Sequence, residues 1–307
     1  VTGLAVYRSV HELVGRTPLV ELNAFQIPEG VHLYAKCEYL NPGGSVKDRL
    51  GEKFVGKALA SGRLKTGGTL IEPTAGNTGI GIALAAVGKG IHVIFCVPEK
   101  FSAEKQTLMK ALGAEVVHTE TEKGMAGAIA RAQQLVREIP GSYCPNQFAN
   151  DENPEAYFDT LGPEIWEDLH GKVDVFVAGA GTGGTFTGVA SYLKSKNPKI
   201  KAAVVEPVGS ILNGGKSAPH RTEGIGMEFI PSFVKTEYFG AIHTVSDDDA
   251  FRRLSEVARR EGLLVGSSSG AALHAALLEA DTAEPGSNIV VLFPDSSERY
   301  LSEKIYG

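Results

Sequence analysis

Residues 173–188 read VDVFVAGAGTGGTFTG. An apolar, β-branched run enters a glycine-rich turn and leaves as a segment of small residues, the pattern of a strand passing into a helix. Gly179, Gly181 and Gly184 satisfy GxGxxG, and Glu206 ends the next apolar run about twenty residues on, as in the dinucleotide-binding fingerprint. The physics is less specific than the motif. Backbone N–H groups at a helix N-terminus face an anion, and a single phosphate satisfies them as well as a dinucleotide does. Thr182 and Thr185 add hydroxyl donors suited to a phosphate monoester. Taken alone, the stretch fits either a nicotinamide dehydrogenase or an enzyme that holds a phosphorylated cofactor.

Working outward, short apolar runs recur at 68–72, 91–97, 114–118, 201–205 and 288–293. Helical spacing lies between them, as in Met125, Ile129, Ala132 and Val136, and again in Phe251, Leu254 and Ala258. Such alternation predicts an α/β protein with mostly parallel sheets flanked by helices. The stretch 142–163, with its Asn-rich turns, interrupts the rhythm and is the expected crossing between two lobes, and a cleft between lobes is a usual cofactor site.

Composition narrows the function. The 307 residues allow one large or two medium domains, and 43% hydrophobic with 21% charged residues is ordinary for a globular chain. A net charge of −6 argues against a duplex nucleic-acid binder. Cys37, Cys96 and Cys144 form no CxxC pair, so neither a thiolate zinc site nor a disulfide framework is expected. Cys37 and Cys96 sit in apolar runs and read as buried small hydrophobes. His170, His220 and His243 are isolated, and no metal is expected. No run is long enough for a membrane span and no signal peptide is evident, so a cytoplasmic protein is expected.

Three more junctions rich in glycine or hydroxyls precede helical segments. Residues 41–49 read NPGGSVKDR, residues 72–81 read EPTAGNTGIG, and residues 266–271 read GSSSGA. In the second, Thr74, Gly76, Asn77 and Thr78 place hydroxyls and amides ahead of a helix, which suits a substrate carboxylate as well as it suits simple capping. Lys47 alone would read as a surface charge. At a glycine-rich junction ahead of an apolar helix it can instead point into a cleft, where desolvation favours the neutral amine and imine formation.

Together, and with VGRTPLVEL near the start and PDSSERYLSEKIY near the end, these segments resemble the tryptophan-synthase-β type of pyridoxal-phosphate enzyme. The likeness is specifically to the cysteine synthase and cystathionine β-synthase family, and it runs nearly end to end. It implies the two-lobed fold type II, with a larger cofactor-binding lobe from 1–40 and 152–307. A smaller mobile lobe from 41–151 would close over substrate. It implies pyridoxal 5′-phosphate as cofactor and Lys47 as both the Schiff-base lysine and the base for the α-proton. Asn77 matches the partner of the ring hydroxyl. Gly181, Thr182, Gly183, Gly184 and Thr185 match the phosphate cup, and Ser268 matches the hydroxyl at the pyridine nitrogen. Thr74, Ala75, Gly76, Thr78 and Gln147 match the residues around the substrate carboxylate. The implied chemistry is β-replacement through an aminoacrylate, and the dehydrogenase alternative recedes.

Two departures bear on the thiol. Ala75 stands where plain cysteine synthases have a hydroxyl, and residues 223–229 read EGIGMEF. In cystathionine β-synthases, a glutamate at the position of Glu223, beside Gly224, is suited to the amino group of homocysteine, which sulfide lacks. The pattern most resembles the bacterial, O-acetylserine-dependent branch of that family. The expected substrates are O-acetylserine with homocysteine, giving cystathionine in reverse transsulfuration; the alternative is sulfide, giving cysteine. Neither a haem segment nor a regulatory module is expected, and a homodimer is.

Overall fold

Strands buried on both faces of a parallel sheet read as unbroken apolar runs, and most of the strands here are such runs. The computed structural model describes residues 6–74 and 76–306; Ala75 lies outside them. The chain divides into two units, one formed by the segment up to Arg16 with Asn41–Asn150, the other by Thr17–Leu40 with the segment from Asp151 on.

In the second unit the strands are β1 (Leu19–Glu21), β2 (His32–Cys37), β6 (Val175–Gly179), β7 (Lys201–Pro207), β8 (Ala241–Val245) and β9 (Asn288–Phe293). The first unit holds β3 (Thr69–Pro73), β4 (His92–Pro98) and β5 (Glu115–Thr119) in a parallel sheet of order β3-β4-β5. Its helices are α1 (Lys47–Ala60), α2 (Asn77–Ala86), α3 (Ala103–Ala111) and α4 (Gly124–Glu138). Ile71, Ile94 and Cys96 of the sheet pack on Ala128, Ala132 and Leu135 of α4, the helix expected from the Met125–Val136 spacing. Helix α2 is buried nearly all round, as its unbroken run of small and apolar residues requires.

The six-stranded sheet has order β1-β2-β9-β6-β7-β8, parallel except for β1. Its helices are α5 (Glu152–Phe158), α6 (Leu161–Asp168), α7 (Gly184–Lys196), α8 (Asp247–Glu261) and α9 (Ser267–Ala280). Helix α8 carries Asp247, Asp248 and Asp249 in its first turn and Arg259 and Arg260 in its last, matching the macrodipole, and ends at Gly262 with φ +72°. Helix α9 is alanine-rich and almost wholly buried, with Ala272, Leu273 and Ala276 in the core cluster beside Val177, Val205 and Val291.

The spacing missed β1, β2 and β8. Strand β2 contains Lys36, which looks polar in sequence. Its ammonium is fully buried, donating to Thr17 O at 2.6 Å and facing Asp168 at 3.0 Å and Glu164 at 3.3 Å. The expected domain division also needs correction. Residues up to Arg16 group with 41–150, not with 17–40. The cause is local bonding: the His11 ring meets Glu52 at 2.6 Å and the Val87 carbonyl at 3.1 Å, and Gly15 N–H donates to Asn41 Oδ1 at 2.8 Å. Cys37 and Cys96 are buried as expected, and burial pushes both thiols up to about 11. Among the described residues no helix is long and apolar enough to cross a membrane.

Candidate active site

All four segments singled out in the sequence deliver a helix N-terminus: α1 at Lys47, α2 at Asn77, α7 at Gly184 and α9 at Ser267. In the first unit, the turn before Lys47 is fixed by Asp48, whose buried carboxylate accepts the Gly43 N–H at 2.5 Å. A side chain at Gly43 would overlap that carboxylate, and Gly44 has φ +76°, so both glycines are required. Lys47 is half-buried, with its N–H donating to Ser45 Oγ at 3.2 Å.

Helices α1 and α2 meet through glycine. A Cβ on Gly51 would overlap the Gly81 carbonyl, and a Cβ on Gly81 would overlap the carbonyl of Lys47 itself. Backbone contact therefore fixes the start of α2, with Asn77 and Thr78, relative to Lys47. Sequence reasoning missed this pair, although two glycines inside consecutive helical segments were a signal for close packing.

Thr74, Thr78 and Gln147 are buried together. The Thr78 hydroxyl donates to Gln147 Oε1 at 2.7 Å, and Gln147 Nε2 donates to the Pro73 carbonyl at 3.3 Å. Gly76 N–H donates to Thr74 Oγ1 at 3.4 Å. Behind Gln147 stands a carboxylate to which the sequence assigned no role: Glu72 accepts the N–H of Asn146 and of Gln147, each at 2.8 Å.

In the second unit, Gly183 caps α7 with φ +82°, and Thr182 and Thr185 are buried beside it. Side chains at Gly181, Gly183 or Gly184 would overlap, in turn, the Gly224 carbonyl, Val234 and Met227, or the Asn153 amide. Thr182 Oγ1 accepts from Asn153 Nδ2 at 3.1 Å. The result is a bare backbone loop with two hydroxyls at the positive end of a helix, a donor set that fits a phosphate monoester. The segment bearing Glu223 lies on this loop: Gly226 N–H donates to Ala180 O at 2.9 Å, and Glu223 N–H donates to Ser267 Oγ at 3.0 Å. A Cβ at Gly224 would stand 3.9 Å from Ser268 Oγ. Asp247, also missed in the sequence, anchors the segment by accepting from Arg221 N at 2.7 Å, Thr222 N at 2.9 Å and Thr222 Oγ1 at 2.6 Å. Burial works against its charge, but the bonds from Thr222 and Arg221 outweigh it and hold its carboxyl below the usual range.

Geometry removes the dinucleotide reading. Glu206 is buried and engaged by Leu212 N at 2.8 Å, Asn213 N at 3.0 Å and Thr244 Oγ1 at 3.0 Å, so it is committed to a loop where a ribose hydroxyl would have needed it. Among the described residues no cluster of three or more His, Cys, Asp or Glu is placed to hold a metal.

The glycine-and-hydroxyl cup of the second unit fits a phosphate monoester, and in the first unit Lys47 stands at a helix start. The chain belongs to the pyridoxal-phosphate dependent enzymes, whose family profile matches residues 10–295. It is 58% identical over 303 residues, 99% of each chain, to the O-acetylserine dependent cystathionine β-synthase of Bacillus subtilis. It is 49% identical to a cysteine synthase of Helicobacter pylori, covering 99% of this chain and 100% of that one. The crystal structure of an O-acetylserine dependent cystathionine β-synthase from H. pylori matches with a TM-score of 0.96 at 49% identity, over 99% of this chain and 100% of that one.

Proposed function

We propose that this enzyme replaces the acetoxy group of O-acetyl-L-serine with the thiol of homocysteine, giving cystathionine and acetate. The observation that carries this reading is full-length identity of 58% to a relative of that name. The segment beginning at Glu223 adds support, because it is bonded to the loop at Ala180 and to the start of α9. A second reading, cysteine synthesis from sulfide, rests on the 49% relative named for it.

Pyridoxal phosphate, when bound, supplies a conjugated ring that takes up the electron pair left when the α-C–H bond breaks. Gly181, Thr182, Gly183, Gly184 and Thr185 hold its phosphate with backbone N–H groups and hydroxyls. Asn77 hydrogen-bonds the ring hydroxyl and Ser268 the ring nitrogen. Lys47 would hold the cofactor through Nζ, and the same amine would take the α-proton of bound substrate. Thr74, Ala75, Gly76, Thr78 and Gln147 orient the substrate carboxylate. Glu223, with Gly224 giving the turn its φ of +82°, accepts from the amino group of homocysteine. Lys47 returns the proton to Cα after sulfur has bonded to the β-carbon.

The protein acts as a homodimer in a reducing cytoplasm, a setting that suits its three free thiols. Sedimentation of the purified protein tests the dimer. The function is tested by mass spectrometry of products after equal homocysteine and sulfide are offered with O-acetylserine. Cystathionine in excess supports the first reading, and cysteine in excess establishes the second.

A further inference from the structure

Glu72 ends no step of the chemistry above, yet it is wholly buried, two residues before Thr74. Around it are the thiol of Cys144, 3.8 Å from Oε2, the thiol of Cys96, and the turn at Asn146, which has φ +58°. A carboxylate in such surroundings is expensive to ionise, and burial pushes its carboxyl up to about 7. Ionised, it presents an acceptor oxygen to each of two successive amides: Asn146 N–H bonds to Oε2 and Gln147 N–H to Oε1, both at 2.8 Å. A glutamine in its place would turn an NH2 group toward one of those donors. The amide thus held, Gln147, is the one that reaches both Thr78 at the start of α2 and the Pro73 carbonyl at the end of β3. The chain of contacts runs carboxylate, turn, glutamine, threonine, and it closes across the loop at 74–78.

We propose that Glu72 is a positioning residue for amino-acid substrate: its two oxygens set the Asn146–Gln147 turn, and through Gln147 they preset Thr78 for the substrate carboxylate. The inference rests on the assignment of Thr78 and Gln147 to that carboxylate. Other titratable groups do not compete for the role. Burial holds the thiol of Cys96 up to about 11 and that of Cys144 higher still, so both stay neutral, and Arg131 of α4 acts on Cys96.

The test uses holoenzyme variants Glu72→Gln, Thr78→Val and the pair. Glu72→Gln should keep the visible spectrum of bound cofactor and lose at least tenfold in kcat/KM for O-acetylserine. Its kcat/KM for the thiol should stay within twofold, a split that general loosening of the unit would not produce. In the Thr78→Val background, Glu72→Gln should add less than twofold, because the route through Gln147 is already cut. An unchanged kcat/KM for O-acetylserine, or full additivity of the two changes, overturns the proposal. A readout that needs neither variant nor substrate is amide hydrogen exchange in the wild-type holoenzyme. Protection of Asn146 and Gln147, corrected for intrinsic rates, should rise between pH 8 and pH 6, because the buried Glu72 carboxyl takes up a proton that the opened turn would release; constant protection overturns the proposal. If protection rises as expected in a protein that does not turn over O-acetylserine, the positional role stands and the substrate reading is what fails.

Discussion

The proposed assignment of Ser268 to the ring nitrogen makes that residue a matter of reaction control. Ser268 lies buried in the first turn of α9, where the helix end already carries positive potential, so a full pyridinium charge is opposed there. A milder electron sink suffices when a leaving group departs with the charge. Replacing Ser268 with Asp should lower the β-replacement rate by roughly tenfold or more and raise the share of side products, read by chromatography of the reaction mixture. An unchanged product profile would undercut this view of the residue. At Glu223, loss of a hydrogen bond to a charged group costs about 1.5–3 kcal/mol, so Glu223→Ala should reduce kcat/KM for homocysteine roughly 10- to 100-fold. Sulfide, lacking an amino group, should be used as before. Glu72 gives a pH signature in stability. Its folded pKa of about 7 lies above the ordinary carboxylate value, so the folded state keeps a proton that the unfolded chain releases. Its contribution is full below about pH 4.5 and is lost as pH rises through 7. The gap in melting temperature between wild type and Glu72→Gln should therefore shrink from pH 5 to pH 8; a constant gap would mean the carboxylate is not desolvated as described.

Among the elements, the α1–α2 crossing carries the most consequence. Gly51 and Gly81 bring two backbones into contact beside Lys47, and added methyl groups have backbone to displace, not flexible side chains. Overpacking of this sort costs about 1–3 kcal/mol. Gly51→Ala should lower the melting temperature and reduce kcat/KM at least tenfold, because the start of α2 moves relative to Lys47; a fully active variant would show the crossing to be looser than the contact implies. The comparison with sequence is instructive here. The four helix starts were legible because each is a local pattern, a short run of glycine and hydroxyl residues ahead of apolar spacing. Gly51 against Gly81, Glu72 against Asn146 and Gln147, and Asp247 against Thr222 were not, because each partner lies 25 to 75 residues away along the chain. Strand β2 was missed because its ion pairs let a lysine sit where a single sequence shows only polarity.

For the whole molecule, the resemblance extends along the chain, and so does the division into two α/β units. The division at Arg16 was absent from the expected 1–40 segment because the bonds that tie the residues before it to α1 and α2 come from side chains with no strand or helix signal. The first unit carries Lys47, Asn77 and the Thr78–Gln147 pair; the second carries the glycine loop at 181–185, Glu223 and Ser268. Cofactor binding to the folded chain alone should stabilise it by about 2.7 kcal/mol at a hundredfold excess over Kd, on the order of 4 °C for a chain of this size. Stripping the cofactor with hydroxylamine and restoring it should move the melting temperature down and back by that amount. No shift would mean that the cup does not hold the phosphate.

The most direct test of the central claim is to treat the cofactor-loaded protein with borohydride, which makes a lysine–cofactor linkage permanent, and to map the modified peptide by mass spectrometry. The account predicts a single phosphopyridoxyl group on the peptide containing Lys47. A label on another lysine, or none at all, would contradict it.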